Sequence, residues 1–384
     1  KTADRLAGYL VYFAIGCAAL TFLITRDARS TISVIIVAGA CGIAAGTPLA
    51  ILGGIGRAAR EGAIIKGGLY LEILGRVDTV VLDKTGTLTM GAPVVSAVHP
   101  VAGVDERRVI EAAAIVERPS EHPLAKAILQ KAAELSLPIA EPERFDYTPG
   151  QGVIGAAGGE EIIVGNREFL AARGFSLDGL AADAGGSSQV LVARGGQLLG
   201  ALQVQDVLRP EAIAAVAELR KMGLRTILLT GDAEAIAREV GAQLGMDEVE
   251  AGLLPDEKLA RIDALLKEGK TVAMVGDGVN DAPALMQANV GIAMGSGTDV
   301  ARESANVVLL GNDLLKLVET LKIARRTKRI IHQNFAGTLI VDGIGVALAA
   351  FGFLNPLLAV LIHVGSELAF ISNSARLLPA ASKD

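Results

Sequence analysis

Apolar runs at both ends of the chain, with nearly all the charge between them, constrain this sequence more than any other feature. Residues 7–24 carry no charge and lie between Arg5 and Arg26. Residues 31–55 are rich in Gly and Ala and contain Thr47-Pro48. Residues 334–353 and 356–375 form two more runs that meet at Asn355-Pro356. Runs of this length can cross a hydrocarbon core as helices. Hydrophobic residues make up 51% of the chain, a share that decides little alone; their placement predicts membrane helices flanking a soluble block at residues 77–322.

Arg57, Arg60 and Lys66 follow the second run, and Lys322, Arg325, Arg326, Lys328 and Arg329 precede the third. Cationic flanks mark the cytoplasmic side, so two membrane hairpins with a cytoplasmic block between them are expected, in an integral protein of the cell membrane. Arg26 and Arg29 make the signal weaker for the first pair. The start at Lys1, running directly into apolar sequence, has no secretory-signal layout and reads as a fragment boundary. A net charge of −6 argues against a nucleic-acid partner. Cys17 and Cys41 both lie in apolar runs and make no disulfide framework. Pro48 removes a backbone donor and is expected to open its helix, either as a kinked packing helix or as an ion site.

Within the soluble block, residues 79–82, 226–229 and 271–275 are short apolar runs ending at Asp83, at Thr230-Gly231-Asp232 and at Gly276-Asp277. They alternate with helical patterns such as residues 210–222, which predicts a parallel sheet with crossover helices. Polar residues then gather at strand carboxyl ends, where open α/β sheets place their sites. The Gly-rich segment 97–200, with its own short strands and helices, reads as an inserted α+β domain.

Asp83-Lys84-Thr85-Gly86-Thr87 combines a carboxylate at a strand end with a Gly turn, two hydroxyls and a cation. Such a turn can hold phosphoryl oxygens while the carboxylate acts as nucleophile. Thr230, Gly231 and Asp232 add a hydroxyl, an amide and a carboxylate, and Lys258 adds a charge that can neutralise a transferred phosphoryl group. Asp277, Asn280 and Asp281 stand at a third strand end. Phosphoryl transfer needs mainly positioning and charge stabilisation, and Asp83 and Asp277 are oxygen ligands of the kind Mg²⁺ prefers.

In this order, DKTGT at 83–87, TGD at 230–232, PDEK at 255–258 and GDGVNDAPAL at 276–285 resemble the P-type ATPases. The resemblance implies a haloacid-dehalogenase-like phosphorylation domain and an aspartyl phosphate formed on Asp83 from ATP. It also implies Mg²⁺ held by Asp83, the Thr85 carbonyl and Asp277, with Asn280 and Asp281 in support. Ser120-Glu121-His122-Pro123 is similar to a string of the heavy-metal subgroup, in which Glu121 and His122 would meet adenine with Gly150, Gly152, Gly165 and Asn166. Glycines allow close backbone approach there; alternatively, His122 is a helix-start residue before Pro123.

Heavy-metal pumps carry a Cys-Pro-Cys string, or a variant, in the helix before the phosphorylation domain. Here Gly39-Ala40-Cys41 stands at that position, keeping one cysteine. One thiolate among oxygen and nitrogen ligands suits a borderline or harder divalent ion (Zn, Co, Ni, Fe or Mn) better than Cu(I). Asp342, His363 and Glu367 lie within apolar runs, the last two spaced to share one helix face. Ser372, Asn373 and Ser374 could add ligands, and His332 stands near a cytoplasmic entrance; interhelical hydrogen bonding is the other role open to such residues.

The expected organisation is therefore membrane helices and a connector at 1–76 and a phosphorylation domain at 77–96 and 201–322. A nucleotide domain is expected at 97–200, and membrane helices with a tail at 323–384. The family's actuator domain, with its Thr-Gly-Glu loop, has no counterpart in the sequence, so a further portion of the pump or a second chain is expected to supply it. The competing function is a membrane-anchored haloacid-dehalogenase-type phosphatase.

Overall fold

The computed structural model describes residues 2–39, 41–120, 122–148, 150–177, 188–278 and 281–378. Three helices come first: α1 (Thr2–Thr25), α2 (Ala28–Val37) and α3 (Cys41–Arg60). Strand β1 (Ala63–Ile65), helix α4 (Gly68–Leu74) and strand β2 (Thr79–Asp83) then lead into the turn at Lys84–Leu88. The chain continues through β3 (Thr89–Pro100), α5 (Glu106–Glu117), α6 (Pro123–Glu134), β4 (Arg144–Thr148), β5 (Gly152–Ala157) and β6 (Glu160–Gly165). It proceeds through α7 (Arg167–Ala171), β7 (Ser188–Arg194) and β8 (Gln197–Leu208). Next come α8 (Ala212–Lys221), β9 (Arg225–Leu229), α9 (Glu234–Leu244), β10 (Glu248–Glu250), α10 (Pro255–Lys267) and β11 (Val272–Gly276). After α11 (Ala282–Gln287), β12 (Val290–Ala293), α12 (Asp299–Ser304) and β13 (Val307–Leu309) stand two long helices, α13 (Leu315–Ala350) and α14 (Pro356–Ala375).

The first sheet has the order β1-β13-β12-β11-β2-β9-β10, parallel throughout except for β1 against β13. Its strands are continuous apolar runs because both faces are covered. Val80 and Leu82 of β2 enter one core, with α8 and the first turns of α13, whereas Val81 enters the opposite core with α10 and α11. From β2 the chain moves outward to β9 and β10, then returns to β11 on the other side. The strand order therefore reverses beside β2, and crevices form at such points.

The second sheet is antiparallel, ordered β3-β8-β7-β6-β5-β4. It begins with Thr89 opposite Leu208. The domain edges expected at 96/97 and 200/201 thus cut through β3 and β8, which run as one ribbon out of the first sheet. Residues 63–74, expected in a cytoplasmic connector, supply β1 to the first sheet and Ala63, Ile65, Leu71 and Leu74 to its core. The expected edge at 322/323 falls inside α13, whose helix is continuous from the soluble core onward. At 36 residues it is about 54 Å long.

Helices α13 and α14 are long and apolar enough to cross a membrane. Tyr12, Phe13, Ile24, Ile344, Phe353 and Leu361 all point outward, a surface that lipid satisfies and water does not. The second apolar run is not one helix opened at Pro48. It breaks after Val37, and α3 runs through Pro48. The break lies where Gly39 meets α14: a Cβ there would stand 2.8 Å from His363 Cε1.

Candidate functional site

Strands β2, β9 and β11 pair in register, Asp83 beside Leu229 and Leu82 beside Val275. Their carboxyl ends therefore bring Asp83, Thr230-Gly231-Asp232 and Asp277 to one edge of the sheet. Asp83 (5% exposed), Lys258 (6%) and Asp281 (3%) are buried there. Lys258 Nζ donates to Asp83 Oδ1 and, at 2.9 Å, to Asp281 Oδ1. Carboxylate oxygens of Asp83, Asp277 and Asp281 all lie within 4.8 Å of one another.

Burial pushes the Asp83 carboxyl up to about 7, with Asp281 adding to the rise and Lys258 opposing it. Asp277 is pushed up to about 6, again by burial first and then by Asp281. Burial alone would lower Lys258, but Asp83 and Asp281 outweigh it and hold the ammonium above its usual value. Three crowded carboxylates facing one ammonium favour a further cation, and all-oxygen donors are what a hard divalent ion takes. Gly86 makes room for this cluster: its φ is +69°, and a Cβ would fall on Asp277 Oδ2. The residues present therefore fit Mg²⁺.

Around that centre, the Thr87 hydroxyl is buried without a hydrogen-bond partner, unusual for a buried polar group and suited to an incoming oxygen. Lys84 pairs with Asp232, and the Asp232 amide donates to Thr230 Oγ1 at 3.1 Å. Lys84, Thr85 and Asp232 line a cleft of about 300 Å³ together with His122 and Leu124. The cleft spans the two sheets.

Beyond it, a second cavity of about 300 Å³ lies in the antiparallel domain, lined by His122, Gly150, Gly152, Gly165 and Asn166 together with Tyr147 and Glu117. His122 stands at a helix start, its Nδ1 accepting the Leu124 amide at 3.2 Å to cap α6, and it also lines the cavity. That bond leaves the ring proton to Nε2 in neutral imidazole. Gly152 and Gly165 are paired across β5 and β6, and a Cβ on Gly165 would stand 2.6 Å from Gln151 O. Their lack of a side chain therefore serves strand approach first. Asn166 caps α7 through the Phe169 amide (2.8 Å) and donates to Gly150 O (3.2 Å), holding the glycine loop.

Glu121 and Asn280 lie outside the described residues. Sequence reasoning missed Glu117, buried in the cavity, its carboxyl pushed up by burial against the pull of the Ser120 hydroxyl. A glutamate on the apolar face of α5, after Ala-Ala-Ala-Ile-Val, was the available signal. Arg209 was also missed. It is buried behind the 83–87 turn and donates to the Gly86 and Thr87 carbonyls.

Among the described residues, Asp83, Asp277 and Asp281 form the one convergent group of His, Cys, Asp or Glu. In the apolar helices Asp342, His363 and Glu367 form no such group; His363 lies against Gly39, and Asp342 Oδ2 is buried without a partner. The side chain of Cys41 lies outside the described ones. Asn373 and Ser374 take the interhelical role: Asn373 donates to Asn334 Oδ1, Asn334 to Ser374 Oγ, and Ser374 to Gly46 O, each at 2.8 Å. His332 is exposed beside Lys328 and Arg76.

The haloacid dehalogenase-like hydrolase family matches residues 77–289. A copper-exporting P-type ATPase of Bacillus subtilis (strain 168) is 36% identical over 98% of this chain and 49% of its own length. One from Staphylococcus aureus (strain MRSA252) is 38% identical over 98% and 48%. The chain spans about half the length of these curated relatives. A zinc-transporting PIB-type ATPase in the E2.Pi state superposes with a TM-score of 0.83 at 36% identity, covering 97% of this chain and 62% of that one. The catalytic domain of the CPx-ATPase CopB-B superposes with a TM-score of 0.59 at 33% identity, covering 69% of this chain and 97% of that one. Sequence, sheet order and the clustered strand-end carboxylates agree: the chain belongs to the heavy-metal P-type ATPases, within the haloacid dehalogenase-like hydrolases, and holds their C-terminal catalytic portion.

Proposed function

We propose that this chain accepts the γ-phosphoryl group of ATP on Asp83 and, within a whole pump, couples that cycle to movement of a transition-metal ion across the cell membrane. The carrying observation is the buried Asp83, bonded to Lys258 and within 4.8 Å of two further carboxylates, next to Lys84 and Thr85, which line a cleft shared with His122. In the transfer, an Asp83 carboxylate oxygen forms the new bond to the γ-phosphorus, the bond from that phosphorus to the bridging oxygen breaks, and ADP leaves with the electron pair. Asp83 must be ionised for this, and Lys258 favours that form. Lys258 and the free Thr87 hydroxyl face the charge on the transferred group, while Thr230 and Gly231 stand at the end of the neighbouring strand β9. Asp83, Asp277 and the Thr85 carbonyl would hold Mg²⁺, with Asp281 in support. When bound, that ion supplies charge neutralisation for the phosphoryl oxygens. Glu117, His122 and Tyr147 would seat the base.

Release of the phosphate is assigned to an actuator portion of the pump, because no Thr-Gly-Glu loop occurs in the sequence. Cys41, Asp342, His363 and Glu367 are the proposed cargo ligands, brought together at another stage of the cycle. Curated relatives are named copper-exporting and a solved relative zinc-transporting, so Cu(I) stands beside the divalent ions as cargo. The test is acid-stable label from γ-labelled ATP. Label is expected on the parent chain and absent from Asp83→Asn; label surviving that change, or phosphoester hydrolysis without label, overturns the reading.

A further inference from the structure

Arg209 sits where three parts of the molecule meet. It is 4% exposed, and its side chain donates to three backbone carbonyls and, more distantly, to Met90 Sδ. Nη2 donates to Gly86 O at 2.7 Å and Nε to Thr87 O at 2.8 Å, both in the turn after Asp83. Nη1 donates to Asn312 O at 3.0 Å. Asn312 is itself held, its Oδ1 accepting the Ser296 amide at 2.8 Å. Two residues earlier, the Leu310 amide donates to Gly62 O at 2.6 Å, just past the end of α3. Lys316, in the first turn of α13, bonds back to Leu310 O. Residues 310–316 are therefore the junction of the two helices that leave the soluble domain, and one guanidinium ties this junction to the turn beside Asp83.

Burying an unpaired cation is costly, and a fork of fixed geometry is what distinguishes arginine from lysine in this role. A lysine offers its donors from a single nitrogen and lacks the spread of Nε, Nη1 and Nη2 that reaches both the turn and Asn312. We propose that Arg209 is a positioning residue that fastens the phosphoryl-accepting turn to the α3–α13 junction, so that occupancy at Asp83 is felt at the root of both helices. The inference rests on Asp83 being the phosphoryl acceptor.

The test is amide hydrogen exchange on the full chain in detergent, with and without Mg²⁺ and beryllium fluoride as the aspartyl-phosphate mimic. In the parent chain the mimic is expected to slow exchange in the 83–89 turn and in 310–316. In Arg209→Lys the turn is expected to stay protected, while slowing at 310–316 drops by a factor of about ten. Arg209→Gln, whose shorter amide keeps a donor but cannot span from the turn to Asn312 O, is expected to weaken the junction response and serves if the lysine variant does not fold. Full junction protection in folded Arg209→Lys, or in folded Arg209→Gln where the lysine variant does not fold, overturns the proposal. So does protection of the turn alone in the parent chain, or loss of turn protection in the folded lysine variant. If the mimic protects neither segment of the parent chain, the assignment of Asp83 fails, and this inference with it.

Discussion

Gly86 and Asp277 occupy space that a single extra carbon would make incompatible. With φ at +69° and Asp277 Oδ2 where a Cβ would be, Gly86→Ala meets both backbone strain and overlap. It is expected to destabilise the fold by about 2 kcal/mol or more, read as a lower denaturation midpoint, and to lose label from ATP. A variant of parental stability would show that the turn and Asp277 are not so close. The carboxyls at about 7 and about 6 carry a second prediction. Both lie above the ordinary value of about 4, so the fold binds these protons more tightly than the unfolded chain does. That contribution is complete below the unfolded value and is lost as pH rises through 6 to 7. In EDTA, the melting temperature is expected to fall between about pH 5 and about pH 8, and Asp83→Asn should flatten the fall; equal slopes would sink the argument. The residues behind these predictions stand in contiguous strings at strand ends, which is why sequence alone found them. Arg209 meets Gly86 across 123 positions of chain, and Glu117 depends on which face of α5 turns inward. No local pattern encodes either.

Among elements, the parallel strands were readable because burial on both faces makes them continuous apolar runs, and β2, β9 and β11 fall where expected. The helix break was not. Proline is a strong local signal, yet α3 carries Pro48 within it, and the interruption lies instead where His363 approaches Gly39. Gly39→Ala should therefore cost about 1–3 kcal/mol by overpacking, and most of that cost should vanish in a His363→Ala background. A double-mutant cycle on thermal stability decides it: an additive result means the two do not touch. Strand β1 escaped sequence reading for a related reason. Three residues at a sheet edge, Ala63–Ile65, carry no periodicity, and only pairing with Val307–Leu309 makes them a strand.

At the scale of the whole molecule, the order of parts was legible because the phosphoryl motifs are collinear with the strands that carry them. The extent of each part was not. Helix α13 passes from the soluble core to its apolar half without a break, and β3 and β8 leave the first sheet as one paired ribbon, Thr89 opposite Leu208. That pairing has a consequence for how such a chain can be edited. Since entry and exit lie side by side, the stretch between them behaves as a cassette: a short hairpin turn could close the gap without stretching the remainder. Each module can then vary under its own selection, the nucleotide module for the base it admits and the phosphorylation module for its carboxylates. The splice between them needs only two neighbouring strands to stay in register.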